Sequence, residues 1–108
     1  MKDQDVKELR KHKRFPFIED ILIDGIQRCT SMDICECGLF VSAIQHFEEK
    51  NIINVTIPFK GEKITLKGQV QFYQSGIGMG IRFVDLNDEQ RAIIMELIEA
   101  IVQKKGFE

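Results

Sequence analysis

Long apolar stretches are missing from this chain of 108 residues. No run approaches the roughly 18 apolar residues that a membrane-spanning helix needs. No apolar segment of the signal-peptide kind follows the N-terminus. The expectation is a soluble, cytoplasmic protein with no membrane span. Cysteine is scarce and odd in number, with only Cys29, Cys35 and Cys37. An odd count without a secretion signal predicts reduced thiols and no disulfide framework. Catalytic signatures are missing as well: there is no glycine-rich phosphate loop, nucleophile elbow or metalloprotease helix. His12 and His46 each sit beside charged residues without a local nucleophile, which reads as surface histidine. None of the many carboxylates is singled out as a general acid or base. No catalytic residue is expected, and the chain does not read as an enzyme. Internal repeats, low-complexity tracts and linkers are also missing.

What the chain does contain is ordinary globular material. Hydrophobic residues are 44% and charged residues 30%, which sets it apart from disordered sequences. Its length suits one domain burying roughly two-thirds of the surface exposed by the unfolded chain. The net charge of −2 is unevenly spread. Residues 1–14 carry six basic and three acidic side chains, giving +3 and leaving −5 on the other 94 residues. An acidic body argues against nucleic acid coating the whole surface, and a basic arm suits a local site for a small anion. A solvated tail is the plainer account of a charge run without further support.

Apolar positions alternate with period two through most of the chain, as in half-buried strands. Phe15, Phe17, Ile21 and Ile23 share a parity that ends at a turn, Asp24-Gly25. Ile26, Met32 and Ile34 mark a less regular second strand. Leu39, Val41 and Ala43 follow Gly38. Ile53, Val55, Ile57 and Phe59 stop at Lys60-Gly61. Ile64, Leu66, Val70 and Phe72 come next, with Gly68 at an inward position that suggests a bend or bulge. Ile77, Met79, Ile81 and Phe83 complete six candidate strands, which predict a small antiparallel barrel or sandwich. From Asp88 the period changes to that of a helix, with Ile93, Ile94, Leu97, Ile98, Ile101 and Val102 on one face. Asn87 and Gln90 have the spacing of a capping box, and Lys104, Lys105 and Gly106 suit the helix end.

Three groups of residues could carry chemistry. Cys29, Cys35, Cys37 and His46 include soft metal ligands, but their spacing matches no familiar structural zinc site. Thiols without a metal are the expectation, and no metal or cofactor is assigned. Arg10 and Arg14 form R-x-x-x-R directly before the first strand. Guanidinium groups make bidentate, charge-assisted hydrogen bonds to phosphate and can face guanine O6 and N7. Asp33, Cys35 and Gly38 form D-x-C-x-x-G between two predicted strands. The Asp33 carboxylate can accept from the N–H groups of a guanine edge, and Gly38 permits close approach. Taken alone, the second motif is better explained by a plain β-turn, with Asp33 bonding its own backbone and Gly38 at positive φ. Arg82 alternates outward from Ile81 and Phe83 and is a secondary candidate beside a solvent-exposed role.

Taken in this order and spacing, the two motifs resemble those of PilZ domains, which carry R-x-x-x-R before the first strand and D/N-x-S-x-x-G between the second and third. The segment from Gly76 to Phe83 and the following helix also look like that family's closing strand and helix. The resemblance runs from about Arg10 to the helix end. It implies a mainly β fold, a six-stranded antiparallel barrel with a C-terminal helix. The expected organisation is a flexible basic arm over 1–14 and a barrel plus helix over 15–108. It also implies a receptor for cyclic di-GMP, with Arg10, Arg14, Asp33, Cys35 and Gly38 at the ligand site. Cys35 departs from the family pattern, which has serine there. A thiol is larger and a weaker donor and acceptor. Losing one neutral hydrogen bond costs about 1 kcal/mol, against about 1.5–3 kcal/mol for a bond to a charged group. Binding about tenfold weaker is therefore expected, not its loss.

The leading expectation is a receptor and adaptor, monomeric or homodimeric. Its arm changes conformation on binding cyclic di-GMP and signals to an effector protein whose identity stays open. A PilZ-like adaptor that binds proteins without nucleotide is the alternative to which Cys35 points. A basic-arm nucleic-acid binder is the third reading, opposed by the acidic body.

Overall fold

The computed structural model describes residues 13–43 and 45–106. Seven strands precede one helix: β1 (Phe15–Pro16), β2 (Asp20–Ile23), β3 (Gln27–Cys35), β4 (Gly38–Ser42), β5 (Ile52–Phe59), β6 (Glu62–Gln74), β7 (Gly78–Phe83) and α1 (Asp88–Gly106). Strands β2 to β7 close on themselves. β2 pairs with β3 and β5, β5 with β6, β6 with β7, β7 with β4, and β4 back with β3, all antiparallel. The result is the expected closed six-stranded barrel with a C-terminal helix. Closure removes the exposed edges of an open sheet.

Period-two alternation explains the core. Ile21 and Ile23, Leu39 and Val41, Val55 and Ile57, Leu66 and Val70, and Met79 and Ile81 all point inward and are at most 3% exposed. Both predicted two-residue stops are turns. Asp24-Gly25 and Lys60-Gly61 take positive φ at each residue, and Lys60-Gly61 forms the two-residue loop between Phe59 and Glu62.

The first predicted strand is divided. β1 pairs with the far end of β3, at Phe15↔Ile34 and Pro16↔Asp33, while β2 pairs with its near end, at Ile21↔Cys29. Between them Ser31, fully buried, donates to the Phe17 carbonyl at 2.6 Å and accepts from the Glu19 amide at 2.9 Å. This staple adds to two main-chain bonds at the crossing, from the Phe17 amide to the Met32 carbonyl at 3.1 Å and from the Ser31 amide to the Glu19 carbonyl at 2.9 Å.

Two bulges correct the alternation read from sequence. Cys29 and Ser31 point inward, so Met32 faces out and is 45% exposed, and a register shift between Ser31 and Asp33 then passes the inward parity to Ile34. Ile26 lies in the preceding turn and is 83% exposed. The second shift falls between Val70 and Phe72 and not at Gly68, whose pairing is regular. It places Phe72 outside, contrary to the sequence pattern. Ile77 is in the turn before β7 and is exposed.

α1 begins as expected. The Asn87 amide donates to Gln90 Oε1 at 3.0 Å and the Gln90 amide to Asn87 Oδ1 at 2.7 Å, a reciprocal capping box. Ile94, Leu97 and Ile98 enter the core alongside Phe17, Leu39 and Phe83, whereas Val102 is exposed. Lys60, at the β5–β6 turn, pairs with Glu96 and ties the helix to the barrel wall. Among the described residues, no helix is long and apolar enough to cross a membrane.

Candidate functional site

β1 is only two residues long, yet it positions Arg14. Pairing of Phe15 with Ile34 carries the preceding residue alongside the end of β3. There Arg14 Nε donates to Asp33 Oδ1 at 2.6 Å, and Nη1 lies 3.5 Å from Cys35 Sγ. The ion pair is partly exposed, with the side chains of Arg14 and Asp33 showing 45% and 34% of their surface. A pair of this kind adds little stability because water screens it. What it does is orient. Of the five guanidinium N–H donors, three remain for another partner.

Asp33 faces Arg14 because of the bulge at Met32. In a regular strand without the bulge, Asp33 would share the inward parity of Cys29 and Ser31. Asp33 therefore bonds a side chain 19 residues away, in place of the local turn that the sequence also allowed. Cys35 is the last residue of β3 and is completely buried. Glu36 and Cys37 make the turn, and Gly38 opens β4 opposite Arg82. Gly38 does not have positive φ. A β-carbon there would strike the Ile81 carbonyl oxygen, so the glycine serves close approach of β7 and not a left-handed turn.

The expectation of three free thiols is corrected on two of them. Cys35 and Cys37 are joined as a disulfide, and only Cys29 is free. Cys29 points into the barrel, where burial raises its thiol pKa above the ordinary value. Among the described residues, no group of three or more His, Cys, Asp or Glu side chains is placed to hold a metal ion. His46 is exposed, 3.2 Å from Glu48 and edge-on to Tyr73. Arg10 and His12 lie outside the described residues.

A groove of about 370 Å³ runs from Arg14 and Asp33 across the barrel wall. Its other walls include Phe40, Phe72 and Arg82. Arg82 is exposed as expected and donates to Gln69 Oε1 at 3.2 Å. It brings a second cation to the groove that holds Arg14. Phe72 is the residue that periodicity assigned wrongly. The bulge after Val70 turns it outward, where its ring covers Gly80 so closely that a β-carbon there would collide with it. Phe40 packs at its side, with ring centroids 6.0 Å apart. Gly80 between Met79 and Ile81 was the available sequence signal: a strand glycine often marks a place where something lies against the backbone.

A closed barrel bearing guanidinium groups, a carboxylate and an aromatic surface in one open groove has the build of a binding module for a planar, anionic ligand. The family model described as PilZ domain matches residues 8–100, and the chain belongs to that family. PilZ domains are binding modules, in general adaptors for cyclic di-GMP. Among curated proteins, none matches the chain.

Proposed function

We propose that this chain is a cyclic di-GMP receptor that reads the nucleotide with Arg14 and Asp33, assisted by Arg10, Arg82 and the groove around them. One observation carries the reading: Arg14 is held 2.6 Å from Asp33 at the mouth of a groove that also contains Arg82 and the exposed ring of Phe72. The chemistry suits the ligand. Guanidinium groups pair with phosphate and with guanine O6 and N7, and a carboxylate accepts from the guanine N–H edge. The faces of Phe72 and Arg82 suit base stacking. Gly38 keeps β4 close to β7, which sets the groove wall. Ligand binding brings Arg10 to the groove that Arg14 already lines and creates the surface that an effector protein recognises.

Isothermal calorimetry on wild type and Arg14→Ala tests this. Wild type is expected to bind, with Arg14→Ala weakened at least tenfold, as befits loss of charge-assisted hydrogen bonds. No heat from wild type at high micromolar ligand, or equal affinity in the two proteins, overturns the reading. The absence of heat would favour the adaptor without nucleotide, for which Cys35 is the supporting observation. In that case Cys35→Ser is expected to bring binding back.

A further inference from the structure

The site contains a second chemistry that nucleotide recognition does not use. Cys35 and Cys37 lie on either side of a single residue, with Cα atoms 5.3 Å apart and sulfurs joined. Cys35 is fully buried, whereas Cys37 is only half-buried and lines two grooves. One is the groove of Arg14 and Arg82. The other lies between the β3–β4 turn and α1, where Arg91 and Asp85 face it. One sulfur can thus be reached from outside and the other cannot. The buried one is 3.5 Å from the Arg14 guanidinium and accepts from the Cys37 amide at 3.3 Å.

We propose that Cys35 and Cys37 form a reversible dithiol–disulfide site whose redox state sets the affinity of the adjoining ligand groove. The reductant is a small dithiol. Its thiolate attacks the accessible Cys37 sulfur, the bond between the two cysteines breaks, and Cys35 leaves as a thiolate. Arg14 and the Cys37 amide stabilise that developing charge, as cations and amide donors do for low-pKa thiols. The second thiol of the reductant then attacks its own sulfur in the mixed disulfide and releases Cys37. Two electrons and two protons pass from the dithiol to the protein, and the reductant departs as a cyclic disulfide. Oxidation runs through a small-molecule disulfide. Cys37 thiolate attacks it and expels one thiolate, then Cys35 attacks the Cys37 sulfur and expels the second.

The coupling follows from hydrogen-bond inventory. A bridged Cys35 sulfur carries no hydrogen and can only accept, weakly. Reduction changes the sulfur that lies behind Arg14 and releases the Glu36-Cys37 turn, whose Cys37 lines the groove, from its covalent clamp. The reduced protein is therefore expected to bind cyclic di-GMP about fivefold more tightly, the equivalent of one modest hydrogen bond. This coupling rests on the receptor reading above. The redox site itself does not.

The test uses the wild-type chain, incubated with dithiothreitol or with oxidised glutathione and then cleared of reagent. Alkylation under denaturing conditions followed by intact mass is expected to show three modified cysteines after reduction and one after oxidation, reversibly. Calorimetry with cyclic di-GMP on the same samples is expected to show tighter binding by the reduced form. In Cys37→Ser the oxidant is expected to leave affinity unchanged. The same alkylation count in both samples overturns the redox site. Reversible counts with equal affinities overturn the coupling. Reversible counts with no binding in either state uphold the redox site and remove the receptor reading instead.

Discussion

Gly38 sits where two strands press together, and its side is filled by the backbone of β7. Gly38→Ala would push a methyl group into the Ile81 carbonyl and part the strands that form the groove wall. A destabilisation of about 1–3 kcal/mol is expected, the range for forcing atoms into a packed site, and urea unfolding would measure it. An unchanged midpoint would mean that β4 and β7 have slack. Cys29 makes a different point. Its thiol is buried in the barrel and its pKa is raised by desolvation. The folded chain therefore holds that proton more tightly than the unfolded chain. The Cys29 contribution to stability is complete at neutral pH and is lost as pH rises through the alkaline thiol range. Thiolate is the reactive form, so Cys29 is expected to resist iodoacetamide at pH 8 until the protein is unfolded. Rapid labelling of the native protein would contradict this.

At the scale of elements, short devices place long ones. The Asn87–Gln90 box satisfies donors that the first turn of α1 cannot pair internally. Asn87→Ala is expected to cost about 1 kcal/mol, which circular dichroism melts would show as a Tm lower by roughly 4–8 °C for a domain of this size. No shift would mean that water replaces the cap at no cost. β1 does more than its two residues suggest, because its pairing with β3 is what brings Arg14 to Asp33. Ser31 supports it from inside the wall. Neither role was visible in the pattern of apolar residues, since a single buried hydroxyl carries no periodicity.

The whole molecule is a ring of strands closed by hydrogen bonds, with the groove of Arg14 and Arg82 on its outer wall and the helix at its side. A ligand that binds only this closed form stabilises all of it. At free cyclic di-GMP tenfold above Kd, mass action gives about 1.4 kcal/mol, or a Tm higher by roughly 6–11 °C. Differential scanning fluorimetry is expected to show that rise in wild type and to lose most of it in Arg14→Ala. A flat response in wild type would contradict specific binding to the fold. The body outside residues 1–14 sums to −5, so binding of an anion is expected to depend on local arginines and the shift to shrink as salt rises.

By itself the sequence determined the six-stranded barrel, the two positive-φ turns and the helix with its cap. These follow from local rules, in which alternation of apolar residues and turn chemistry act over a few neighbours. Tertiary structure decided what local rules cannot carry. A bulge adds one residue without changing composition, yet it reverses every side chain beyond it. That is why Phe72 faces out and why Asp33 meets Arg14. Whether Cys35 and Cys37 meet depends on how β3 turns into β4, and whether Phe72 and Arg82 share a groove depends on β6 lying beside β7. Those proximities arise only when the barrel closes.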